Sequence, residues 1–153
     1  LVEAGVRCVA MNWGGWDTHG QNFKTFREQL PALDIGLANL IRDLDERGML
    51  GDVTIAVWGE FGRTPRINNN AGRDHWPRMG AAFLAGGGIK AGQAVGVSDR
   101  IASDAAGRAV HTHEVLATLY RNIGIDPVTT QIIDPSGRPR YLLDHRQPIA
   151  ELV

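Results

Sequence analysis

The sequence predicts an α/β protein in which a mostly parallel sheet is flanked by helices, and three observations carry that prediction. Short, nearly continuous apolar runs at residues 5–11, 53–58 and 80–85 read as buried strands. Apolar residues spaced by three and four over residues 23–47 and 113–123 read as amphipathic helices. Their order is strand, helix, strand, loop, strand, helix, the alternation of a sheet whose crossovers are right-handed and whose ligands collect at strand carboxyl ends. With 153 residues and 43% hydrophobic content the chain can bury one core, so residues 1–153 are expected to form a single domain.

The first run, GVRCVAM, is β-branched and apolar, and Asn12, Gly14 and Gly15 break it. Cys8 lies inside it and reads as a buried structural thiol; as the single cysteine it has no disulfide partner in the chain. Phe26, Leu30, Leu33, Leu37, Leu40, Ile41 and Leu44 then form one helical stripe, which Pro31 is expected to kink or divide and Gly48 and Gly51 to stop. VTIAVW gives the second strand. A polar loop with Asn68, Asn69, Asn70 and Gly72 leads to the third strand, closed by Gly86, Gly87 and Gly88. Residues 91–108 read as a surface excursion with a short strand at 94–97. Thr112 is the expected N-cap of a helix on which Val115, Leu116, Leu119, Tyr120 and Ile123 form one apolar face. From residue 126 onward Pro127, Pro135, Pro139 and Pro148 predict an irregular, extended closure.

Charge narrows the function classes. Sixteen basic against 17 acidic residues give a net charge of −1, so no bulk field draws nucleic acid or a membrane surface. No apolar run approaches the roughly 20 residues that span a bilayer, and the N-terminus lacks the layout of a signal peptide. A chain that starts with Leu1 and runs at once into a strand-like segment reads as a piece of a longer or processed protein. No Gly-x-Ser-x-Gly elbow, phosphate-cradling P-loop, cysteine pair or His-Glu-x-x-His helix occurs.

Chemistry concentrates in three loops at predicted strand ends: WDTHG at 16–20, GEFGRTP at 59–65 and GRDHWP at 72–77. Asp17 and His19 are two apart, so in an extended segment both side chains point to the same side and can share an ion. A carboxylate oxygen and an imidazole nitrogen, each about 2.0–2.2 Å from the metal, are ordinary ligands for zinc and its neighbours. The plain alternative has Asp17 capping the loop and His19 on the surface. Glu60 follows the second strand directly and is either a ligand or the salt-bridge partner of Arg63 or Arg66. Both arginines can also grip a phosphate or sulfate through forked hydrogen bonds. His75 adjoins Asp74, which either ligates beside it, accepts from its other ring nitrogen or bridges the loop. His111 and His113 flank Thr112 and read as structural, since a helix N-terminus disfavours a protonated imidazole. His145 has no motif around it.

Taken in order, WDTHGQNF, LDERGMLGDVTIAVWGEFGRTPRIN, GRDHWPRMGAAFLAGGGIKAG and a THEVLAT helix closed by GID closely resemble the bacterial family known as domain of unknown function 1501. That family is similar to a branch of the alkaline phosphatase and sulfatase superfamily. The resemblance runs from about Val6 to Pro127 and corresponds to the C-terminal half of an alkaline phosphatase-like fold. It implies a site for one or two divalent ions, zinc first, with calcium and manganese open. Asp17 and His19 resemble the pair that holds one ion, and His75 the histidine that returns to it. Glu60 falls where an aspartate usually ends the strand and holds a second ion.

Two departures are plain: Phe61 stands where a histidine often follows the strand-end carboxylate, and Asp17 and His19 are two apart where four is common. In that superfamily the attacking Ser, Thr or modified Cys belongs to the N-terminal half, which the resemblance implies lies outside this sequence, and Thr18, Thr64 and Ser98 are not at matching positions. The resemblance therefore implies the C-terminal part of an exported, metal-dependent hydrolase of phosphate or sulfate esters, with Arg63 on a non-bridging oxygen. Its partners would be a small-molecule ester and the N-terminal half of the same protein, with no nucleic acid and no membrane insertion. The alternative is a scaffold that keeps the fold without metal chemistry. Shared ligation requires Asp17, His19, Glu60 and His75 to converge within about 5 Å.

Overall fold

Residues 1–153, all described by a computed structural model, form two helices and six short strands. In chain order these are α1 (Asn22–Glu46), β1 (Thr54–Trp58), β2 (Gly62–Arg63), β3 (His75–Trp76), β4 (Ala82–Gly86), α2 (Thr112–Asn122), β5 (Gln131–Ile133) and β6 (Pro139–Tyr141). The expected parallel sheet is overturned: the strands make three two-stranded sheets, β1 with β4, β2 with β3 and β5 with β6, all antiparallel. The flanked, half alkaline phosphatase-like architecture falls with it. The physical reason lies in the connection. Parallel neighbours need a crossover, usually helical, whereas the chain leaves β1 through β2, turns at 65–72 and comes back through β3 into β4.

The first apolar run forms no strand. Residues 8–17 adopt no regular secondary structure and have no ladder partner, and Val9 and Met11 are exposed. Cys8 is exposed as well, which corrects its reading as a buried thiol. Apolar, β-branched composition suits a strand, but a strand also needs a neighbour for its backbone groups, and no segment of this chain supplies one. α1 is one continuous helix with Pro31 inside it. Its fastening points are its two ends, where Asn22 and Leu44 are buried, while Leu30, Ile35 and Leu40 on its length stay exposed.

β1 and β4 match the second and third predicted strands, in the register Thr54↔Gly86 through Trp58↔Ala82. Gly86 and Gly87 end β4 with φ of 68° and 58°, a left-handed conformation that glycine adopts freely. A side chain at Gly86 would also meet the Val53 carbonyl oxygen. α2 begins one residue earlier than expected, because His111 is the N-cap. Its side chain accepts from the His113 N–H while the Glu114 carboxylate accepts from the His111 N–H, a reciprocal capping box. The predicted strand at 94–97 is absent; the nearest pairing is a single bridge between Ser98 and Ala105.

The tail is more regular than its prolines suggest. β5 and β6 form a hairpin whose turn is organised by Asp134, which accepts from the N–H groups of Ser136 and Arg138 at 2.9 Å each. The tail then folds back on α2. Val115, Ile149 and Leu152 form the core, with Leu84, Ile89, Val95 and Val110 packed against them. Thr118, fully buried beneath, donates to the Glu114 carbonyl at 2.8 Å and accepts from the Ile149 N–H at 2.9 Å. Only 11 of 153 residues are buried, and the 10766 Å² of exposed surface compares with roughly 7,600 Å² for a compact monomer of this mass. No helix is long and apolar enough to cross a membrane.

Candidate metal centre

The loop before α1 and the β2–β3 hairpin are clasped by backbone hydrogen bonds. The N–H groups of Gln21 and Asn22 donate to the carbonyls of Asn70 and Ala71 at 3.0 and 2.9 Å, and the Arg73 N–H donates to the Thr18 carbonyl at 3.2 Å. Asn68 adds a side-chain amide donated to the His19 carbonyl at 2.9 Å. The approach is so close that a Cβ at Gly72 would overlap the His19 carbonyl group. Within the hairpin Arg63 lies directly opposite His75, so both side chains share one face and both reach Asp17.

Three donors meet there. Asp17 Oδ1 is 2.9 Å from His75 Nε2 and 3.1 Å from His19 Nε2, and the two imidazole nitrogens are 3.2 Å apart. This nearly equilateral triangle suits one ion. Bonds of about 2.0–2.2 Å from its centre would subtend ligand angles of about 90–105°, between octahedral and tetrahedral geometry. The other nitrogen of His19, Nδ1, is 2.8 Å from Asp74 Oδ1. Donation to that carboxylate puts the His19 proton on Nδ1 and leaves Nε2 with a lone pair facing Asp17, the arrangement found around histidine ligands of metals. Asp74 thus supports His19, whereas the sequence had paired it with its neighbour His75.

The electrostatics favour a cation. The Asp17 carboxyl is held down to about 2 by hydrogen bonds from His75 and from Arg63, the latter at 2.5 Å. Asp74 is lowered as well, chiefly by His19 and further by Asn68. Two carboxylates and two imidazoles therefore share a small exposed space. With His75 Nε2 donating to Asp17 Oδ1, the His19 Nε2 lone pair faces the same oxygen at 3.1 Å. Phe61 packs on the His75 ring with centroids 4.6 Å apart and so braces a donor.

Glu60 does not join the group. It is exposed, and the convergent donors are Asp17, His19 and His75, all within 4.8 Å of one another. Its alternative partners do not take it either: the Arg63 guanidinium bonds Asp17 and the Arg73 carbonyl, and Arg66 contributes its carbonyl to the Thr64 hydroxyl. Sequence reasoning missed Asn68 and Phe61. The Asn-rich loop was visible, but its contact with His19 depends on pairing across about fifty residues. Two shallow depressions, around Tyr141 and Arg146 and around Ile125 and Gln147, lie apart from these residues.

A mixed α and β scaffold thus carries one carboxylate and two imidazoles, from the loop before α1 and from β3, as its distinguishing site. The chain belongs to the family described as protein of unknown function (DUF1501), whose model matches residues 1–153. No curated protein and no solved structure matches it.

Proposed function

We propose that Asp17, His19 and His75 hold a single divalent ion, zinc by preference, in the centre of an ester hydrolase acting on phosphate or sulfate esters. The observation that carries this reading is the triangle of donors 2.9–3.2 Å apart, with Asp74 fixing the His19 tautomer. Two imidazoles and one carboxylate leave coordination positions open, as catalytic sites do. When bound, the ion supplies Lewis acidity at the ester oxygen and neutralises developing charge. Arg63 now spends its guanidinium on Asp17 Oδ1, the same atom a cation would take. Displaced from that oxygen, the guanidinium is free to fork onto an anionic ester, which gives the site its preference for phosphate or sulfate.

The chain offers no nucleophile at this point. The Thr18 hydroxyl is buried and donates to Asn22, and the Thr64 hydroxyl is bound between the Arg66 carbonyl and the Asp74 N–H. Attack would come from a further polypeptide segment. The reading rests on the donor triangle and Arg63 alone, because the antiparallel sheets contradict the alkaline phosphatase-like fold. The test is paired. Zinc titration of the chain carrying H145Q, which leaves Asp17, His19 and His75 intact, is expected to give one bound ion with no turnover, and the longest natural polypeptide containing the chain is expected to hydrolyse p-nitrophenyl phosphate or sulfate until chelator is added. Absence of metal binding would overturn the centre, and metal binding without hydrolysis of either ester would favour the scaffold.

A further inference from the structure

All five histidines of the chain fall into two groups, and the second lies outside the centre described above. It consists of His111 and His113 at the start of α2 and His145 in the tail. Two buried anchors bring His145 there: Leu143 on one side, and on the other Ile149, whose N–H is held by Thr118. The His145 N–H itself donates to His113 Nδ1 at 3.3 Å. The ring centres are 4.8 Å apart for His111 and His113, 4.6 Å for His111 and His145, and 5.9 Å for His113 and His145.

We propose that His111, His113 and His145 form a second, imidazole-only site for a transition-metal ion that staples the tail to the start of α2. Three imidazoles sharing one ion through bonds of about 2.0–2.1 Å hold their ring centres about 4.5–5.2 Å apart. Two of the three separations lie in that range, and the third closes with a turn of one exposed ring. The rings are turned aside by the backbone. His111 Nδ1 accepts from the His113 N–H at 3.1 Å and His113 Nδ1 accepts from the His145 N–H at 3.3 Å, which keeps the neutral ring protons on Nε2. Binding through Nε2 moves those protons to Nδ1 and releases two hydrogen bonds at the long end of the normal range. The second site is therefore weaker than the first, whose donors already converge.

No carboxylate joins the set. Glu114 is committed to the His111 N–H and to Arg108, and Arg108 also binds Glu151. An all-nitrogen site selects zinc, copper or nickel and passes over calcium and magnesium. Because imidazole binds metal only when neutral, uptake weakens as the solution is acidified through the range where histidine ordinarily titrates, about 6.5.

The test uses the full chain with the first centre silenced by D17N and H75N and with C8S to remove the exposed thiol. Zinc titration by calorimetry is expected to show one equivalent bound, with a rise in melting temperature that calcium does not produce. Adding H145Q is expected to abolish both effects, and adding H111Q instead to weaken uptake at least tenfold, while circular dichroism keeps its helical signal. No zinc uptake by the silenced chain, or uptake and melting shift unchanged by H145Q, would overturn the proposal. Either outcome leaves the reading of the first centre standing, since two of its three ligands are absent from the tested protein.

Discussion

The two ends of the molecule are held by opposite means. Around Asp17, His19 and His75 the segments are clasped by backbone and amide hydrogen bonds, and the functional side chains themselves are exposed. Around α2, Val115, Ile149 and Leu152 are buried against one another and a single fully buried hydroxyl joins helix to tail. The polar end is geometry with little burial; the apolar end is burial with no convergent ligand set of the first kind. The contrast teaches that the candidate centre contributes little to folding by itself, so its residues can be changed and read for chemistry while the apolar end keeps the chain folded.

The largest effect should come from breaking the apolar end. Ile149→Ala removes a 3%-exposed side chain from the core and is expected to cost about 2–5 kcal/mol of stability, read by urea unfolding, with the zinc affinity of the Asp17, His19 and His75 centre, measured with H145Q also present, unchanged. A concurrent loss of affinity in the folded state would show that the two ends are coupled. Next in size, Asp74→Asn takes the charged support from His19 and is expected to weaken zinc binding 10–100-fold, about 1.4–2.7 kcal/mol. Its melting temperature should barely move, and a large drop would recast Asp74 as part of the scaffold.

A smaller effect sharpens the polar end alone. Ala71, whose carbonyl anchors the start of α1, has φ of 55°, a left-handed conformation that costs a residue with a side chain roughly 1 kcal/mol. Ala71→Gly is expected to stabilise the chain by several tenths of a kcal/mol, since glycine loses part of that gain through its freer unfolded state. Smallest is a titration. The Asp17 carboxyl, depressed to about 2 against an ordinary 3.8, contributes stability that is present above the ordinary value and lost as pH falls through about 2. Carboxyl carbon NMR of the metal-free chain should place its midpoint there, and His75→Gln, which removes the larger cause, should raise it.

The same division governs what the sequence disclosed. α1, α2, β1 and β4 were legible because an apolar stripe or run is local information. The sheet type was not, since pairing direction depends on the connection and the 59–81 excursion carries no helix. The run at 5–11 misled because composition does not announce a missing neighbour. Of the four expected ligands Asp17, His19 and His75 converge and Glu60 stands apart. The spacing of Asp17 and His19 was informative within one segment, whereas the role of Glu60 rested on strand-end analogy. Asp74 as support was legible as a residue type, but its choice of His19 over His75 is settled only by how the hairpin docks on the loop.

The central claim is that Asp17, His19 and His75, without Glu60, make the metal centre. A zinc titration on the chain carrying H145Q, which silences the tail cluster, tests it most directly when repeated with D17N and with E60Q. The expected result is one ion bound by the H145Q chain, the same affinity with E60Q, and at least a hundredfold loss with D17N. Equal losses with E60Q and D17N, or no ion bound at all, would contradict it.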